Sequence, residues 1–262
     1  MITLTDAQLD AWIAALVFPL ARILGLVATA PLFNNAALPL RLKLITGLAI
    51  AIALAPALPA HAPVVTASWN GLLVLVQQSL IGIALGFTMR IAFAAVDVAG
   101  ELIGMQMGLS FAVFYDPQNA AQSPIVAELA GLLALLIFLS LDGHLMVLAL
   151  LAQSFTLLPI GPEPFAAAGW GAVARWGAML FSAGILLSLP LIAALLITNI
   201  ALGILTKAAP QLNLFAVGFP ITLIAGFTVL ALAMPYFAPA LERILDQGYA
   251  AMGMVMGAGT RP

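Results

Sequence analysis

Two stretches near the end of the chain set the strongest limit on its fold. Thirty-one residues separate Arg175 from Lys207 without a single charge, and 34 more run uncharged from Ala208 to Leu241. No water-facing helix or strand has such a sequence, because one face of it must carry polar groups. The bias holds for the whole chain of 262 residues, of which 64% are hydrophobic and 7% charged. A soluble domain carries about 25% charged residues. The chain therefore belongs in a membrane or in a very apolar assembly. Its apolar runs exceed the length of a transmembrane strand, so helices are expected rather than a barrel. The predicted fold class is all-α: long, kinked hydrophobic helices and helical hairpins forming one subunit of a larger membrane-associated assembly.

The first helix is predicted from Thr5-Asp6, which can cap it, to about Ala28, with Arg22 inside it. Before the first apolar run the chain carries Asp6 and Asp10 and no Lys or Arg, so the start does not read as a cleavable signal. A loop rich in Asn and Pro follows to Pro39. Arg41 and Lys43 form the densest basic spot and mark a cytoplasmic end. The apolar run Leu44 to Leu58 looks short for a full span. From Trp69 to Gly108 only glycines interrupt the helical pattern. One helix of that length would be about 55 Å long, against about 30 Å of hydrocarbon. Either it breaks near Gly82 or Gly86, or it leaves the bilayer and is covered by protein. Ile125 to Leu158 is split by Asp142-Gly143-His144 and reads as a hairpin or broken helix. Ile160 to Phe165 is the best candidate boundary. A long hairpin follows, turning at Pro210-Gln211-Leu212-Asn213, with Lys207 at the end of its first arm. The Gly- and Met-rich tail from Gly248 is expected to fray. The predicted domains are 1–160, 161–247 and a flexible 248–262.

The remaining chain is organised around Gly100 to Pro124. Gly100, Gly104 and Gly108 recur every fourth residue and share a helical face. Counting 100° per residue, Gly82, Gly86, Arg90, Asp97 and Glu101 fall in the same arc of about 100°. A charged group facing lipid is costly, so this seam is expected to face protein or water. Arg90, Asp97 and Glu101 are read as a buried structural ion-pair group, with a role in moving ions as the other reading. Beyond the glycines come Met105, Met107, Phe111, Phe114 and Tyr115, then Asp116-Pro117 and a polar run. Two readings stand: a plug or gate loop over about 109–123, and an ordinary interhelical loop. His144 beside Asp142 is either a proton relay or a turn residue.

The absence of cysteine removes disulfides and thiolate chemistry, and two histidines are too few for a His-based metal cluster. A net charge of −2 with no basic block argues against nucleic acid. No catalytic constellation, cofactor site or metal site is expected. The broken helices, with Asp97, Glu101 and His144 in apolar surroundings, leave a secondary transporter of a small solute as the alternative function.

Four motifs in order carry a family resemblance. They are Arg22, Pro31 and Pro39-Leu40-Arg41; Gly108-Leu109-Ser110-Phe111 with Asp116-Pro117-Gln118; Asp142-Gly143-His144 with Ser154-Phe155 and Leu158-Pro159; and Ala209-Pro210-Gln211-Leu212-Asn213-Leu214-Phe215-Ala216-Val217-Gly218-Phe219-Pro220. Together they make the chain resemble the FliR family, the export-gate component of flagellar type III secretion. The family often has a second His where Leu145 stands. The resemblance implies a FliP-like part over 1–160 and a FliQ-like hairpin over 161–247. It implies assembly with FliP-like and FliQ-like subunits, an FlhB-like neighbour, lipid and the basal-body ring, at the bacterial inner membrane. Unfolded export substrates would pass through the closed channel core. The central loop, with Met105, Met107, Phe111, Phe114 and Tyr115, would plug it. Asp142, His144, Lys207, Pro210 and Asn213 would form conformational or turn motifs.

Overall fold

The computed structural model describes residues 5–33, 38–59, 64–109, 124–209 and 214–260, without the side chains of 6, 7 and 214–216. Among these, all regular structure is helical. The helices are α1 (Asp6–Thr29), α2 (Leu40–Leu54), α3 (Trp69–Gln106), α4 (Ile125–Ser140), α5 (Gly143–Leu157), α6 (Ala167–Ala208) and α7 (Leu214–Gly259). A short 3-10 turn, Ala55–Ala57, extends α2.

Local sequence explains where these helices start and stop. Thr5 and Gln8 form a reciprocal capping box at the start of α1. Pro39, which cannot donate a backbone hydrogen bond, stands at the N-cap of α2. Asp142 adopts a left-handed backbone (φ 55°) and breaks the run into α4 and α5, as the Asp-Gly-His triplet predicts. No break occurs at Gly82 or Gly86, so α3 is continuous over 38 residues. Helices α6 and α7 reach 42 and 46 residues despite Pro190 in one and Pro220, Pro235 and Pro239 in the other. Among the described residues, five helices or helix segments are long and apolar enough to cross a membrane, and the α4–α5 pair adds a broken candidate.

The chain forms two compact units, one within residues 1–91, 142–177 and 245–262, the other within 92–141 and 178–244. In the first, α1 lies against the N-terminal half of α3 with almost no side chains between. A Cβ on Gly25 would meet the backbone of Ser79 and Ile83, and one on Gly82 the backbone of Arg22. Thr29 supports the contact by donating to the Ile83 carbonyl at 3.3 Å. A separate cluster joins Ala84, Val173 and Val255 with Phe165 and Ala172. In the second unit, Gly100 receives the backbone of Ala127 from α4. Phe93 and Phe138 meet edge to face at 5.4 Å. Ala92, Ala95, Ala183 and Ile244 form one core cluster of that unit.

Two of the expected boundaries lie within packed structure. The segment Ile160–Phe165 does not divide the compact units: Ile160 is buried, and Phe165 packs into the cluster of Ala84, Val173 and Val255. Nor is the tail frayed. Helix α7 continues to Gly259, with Ala251, Met252, Val255 and Met256 at most 1% exposed. The reason is their spacing, since residues four apart share a helix face and the glycines between them fall elsewhere. Met252→Ala and Met256→Ala should each cost about 2–5 kcal/mol of packing. That cost should appear as a lower thermal midpoint of the detergent-purified protein; an unchanged midpoint would mean the tail is not docked.

Candidate functional site

The root of the central loop is built by the last turn of α3. Gly108 has φ 81°, a conformation that costs glycine little and other residues more. Its N–H donates to the Met105 carbonyl at 3.0 Å, and that of Leu109 to the Gly104 carbonyl at 3.1 Å. This pair of bonds is a Schellman stop, satisfying carbonyls that the helix end leaves open. Gly108 therefore acts as a helix terminator. The stop fixes where helix ends and loop begins.

Just before the stop, Met105 and Met107 diverge. Met107 is fully buried, among Ile103, Val126, Leu191 and Leu195. A Cβ on Gly226 of α7 would lie 2.6 Å from its Cγ, so glycine makes room for the thioether. Thr222 adds a hydrogen bond of 3.4 Å to the Met107 carbonyl. Met105 is 56% exposed. One methionine thus clamps the loop root onto α7, and the other faces outward. Phe111, Phe114 and Tyr115 lie outside the described residues.

The predicted glycine and charge seam does not stay together as one buried face. Gly82 and Gly86 pack against α1, and Gly100 against α4. Gly104 is looser: a Cβ there would meet only the Val126 side chain, at 3.8 Å. Arg90, Asp97 and Glu101 are all exposed within the single chain, so this chain alone does not bury the expected ion-pair group. The arc is buried where glycines let backbones approach, and open where charged side chains need room and solvation.

The turn residues are scattered. Asp142 is exposed and its side chain caps nothing. His144 is half-buried, and its Nδ1 has no hydrogen-bond partner among the described residues. Lys207 is exposed in the last turn of α6, where a positive charge complements the helix dipole. Pro210 and Asn213 lie outside the described residues.

One residue absent from the predicted site organises the first unit. Arg22 is 0% exposed. Its Nε donates to Gln78 Oε1 at 2.8 Å, its Nη1 to the Ser154 carbonyl at 2.7 Å and Ser154 Oγ at 3.0 Å. Its Nη2 donates to the Leu158 carbonyl at 2.7 Å. The guanidinium carbon also sits 4.2 Å from the centre of the Phe155 ring. Every hydrogen-bond partner is neutral, and the two carbonyls belong to the negative end of the α5 dipole. Arginine suits this place because its planar fork reaches several acceptors at once. The signal in the sequence was a lone charge within an apolar run, which rarely lacks a dedicated set of partners.

Taken together, the described residues form an all-helical membrane protein whose helices outrun a bilayer and whose α3 ends beside a buried methionine. A sequence profile described as bacterial export proteins, family 1, matches residues 13–248. The flagellar biosynthetic protein FliR of Escherichia coli (strain K12) is 45% identical over 247 residues, 94% of each chain. The FliR of Pectobacterium carotovorum subsp. carotovorum is 43% identical over the same share. That of Bacillus subtilis (strain 168) is 34% identical over 165 residues, 60% of this chain and 62% of its own. The chain belongs to the bacterial export proteins of family 1, the family of the flagellar FliR proteins. Its role lies in flagellar biosynthesis and protein export.

Arg22→Ala should strand three buried acceptor residues and cost at least about 2 kcal/mol. Arg22→Lys, a point charge without the fork, should recover only part of the loss in folded yield and thermal midpoint. Wild-type behaviour of the alanine variant would show that the network is dispensable. Gly82→Ala should destabilise as well, because its Cβ meets backbone, whereas Gly104→Ala should leave the midpoint of the isolated chain unchanged.

Proposed function

We propose that the chain is a non-enzymatic subunit of the flagellar type III export gate. It builds the closed channel core with FliP-like and FliQ-like subunits, beside an FlhB-like protein, in the inner membrane at the basal body. Unfolded flagellar substrates pass through that core when it opens. Residues 1–160 supply the FliP-like part and 161–247 the FliQ-like hairpin.

The observation that carries this reading is helix length. At 1.5 Å per residue, α3, α6 and α7 extend about 57, 63 and 69 Å. The hydrocarbon layer is about 30 Å thick, and tilt absorbs only part of such a mismatch. Yet the most apolar window of α7 is only 11% buried within the chain. Apolar surface that neither the chain nor the bilayer covers needs other protein, so the subunit is built for an assembly. Membership of an export family supports the identity of those partners.

The loop reading follows from its root. Residues of about 109–123 connect the Schellman stop of α3 to the start of α4 in the sequence. Met107 fixes its base, while Met105 and the aromatic residues Phe111, Phe114 and Tyr115 supply the stopper. Soft, apolar side chains suit a pore that must admit a polypeptide and still exclude water and ions at rest. Asp142, His144, Lys207, Pro210 and Asn213 act as turn and conformational elements around this gate.

Deleting 111–122 should leave the complex able to assemble but raise the ion conductance of membranes that contain it. Unchanged conductance in a fully assembled deletion complex counts against a plug. Gly104→Leu should reduce recovery of the complex with its partners while sparing the isolated chain, because Gly104 is a glycine with little intrachain crowding. Normal recovery would remove Gly104 from the interface.

A further inference from the structure

Helix α2 differs from α3, α6 and α7 in length, and it carries two cations at its N-terminal end. With its 3-10 extension it forms an apolar segment of 18 residues, Leu40–Ala57, or about 27 Å. That matches a hydrocarbon layer of about 30 Å, which α3, α6 and α7 exceed about twofold. One side is covered by α1: Ala51 is buried, and a Cβ on Gly47 would lie 2.5 Å from Leu24 Cδ2. The rest is bare. Leu44, Leu48, Ile52, Ile45, Ala49 and Ala53 are all exposed and sweep about 180° of the helix. Ile45 and Ile52 are 62% and 61% exposed.

Glycine, the residue that favours close helix–helix contact in membranes, is already occupied by α1 at position 47. The open arc carries mostly bulky aliphatic groups and no hydrogen-bonding side chain. At one end stand Arg41, exposed, and Lys43, half-buried. Paired cations at the end of a bilayer-length helix fit an anionic headgroup layer on the cytoplasmic side.

We propose that α2 is the lipid-embedded anchor of the subunit. Its Leu44–Ile52 arc meets acyl chains, and Arg41 and Lys43 meet anionic headgroups. Where α3, α6 and α7 need protein around them, α2 fits a bilayer in length and in end charge. The inference rests on membrane placement and not on the gate reading, so either can fail while the other stands.

The absence of native cysteine makes the test direct. Ile45→Cys and Ile52→Cys are introduced singly, labelled with an environment-sensitive fluorophore, and purified as full chain with the co-expressed export subunits. The complexes are placed in vesicles of phosphatidylethanolamine and phosphatidylglycerol with brominated acyl chains. Both probes should lose emission to the brominated lipid and remain insensitive to aqueous iodide. Protection from both quenchers overturns the proposal, because protein then covers the arc. Quenching by iodide overturns it as well, because the arc is then wet. A photo-reactive amino acid at position 52 gives a second readout in native membranes: lipid adducts support the anchor, and adducts to protein alone contradict it.

Discussion

A rod of about 57 Å cannot be sheltered by a hydrocarbon layer of about 30 Å, and three helices of this chain exceed that layer by such a margin or more. Everything else in the structure is arranged around that mismatch. The glycines at 25, 82, 86 and 100 let backbones touch, so close backbone contact helps to hold each unit. Packing of this kind leaves bulky aliphatic groups pointing outward, where further protein or lipid must receive them. Exposed Leu, Ile and Phe along α6 and α7 are the visible remainder.

Within the first unit the buried guanidinium of Arg22 supplies the directional interaction that apolar packing lacks. It ties α1 to the Gln78 side chain of α3 and to the last carbonyls of α5. A buried charge with neutral acceptors is costly to form and costlier to leave unmet, so it selects one arrangement of the three helices. In the second unit the comparable role falls to Met107. There Gly226 and Thr222 of α7 receive the thioether and its carbonyl, just past the end of α3 and one residue before the left-handed Gly108. The two devices differ in kind: one orients by hydrogen bonds, the other by shape.

Much of the fold was legible in the sequence because composition and uncharged run lengths report directly on burial and helix length. The break at Asp142 was legible for the same reason, since a polar triplet interrupts an apolar run. The family followed from four ordered motifs. The seam around Arg90, Asp97 and Glu101 was legible only in part, because a helical wheel gives angle but not depth. The same face is buried near Gly82 and open near Glu101. The tail misled because Gly and Met lower helix propensity or specificity in isolation, yet Met252 and Met256 find a core to fill. Gly108 looked like part of a repeat because its left-handed backbone is invisible to spacing. Arg22 was noticed as a motif residue and not as a hub, because its partners lie 56 to 136 positions away.

The central claim is that sister proteins, rather than lipid, cover most of these helices. It is tested most directly by releasing the subunit from its native membrane in mild detergent and weighing the intact particle by native mass spectrometry. The account predicts one defined particle in which the chain travels with FliP-like and FliQ-like subunits and with little bound lipid. A stable particle holding this chain alone within a shell of lipid and detergent would contradict it.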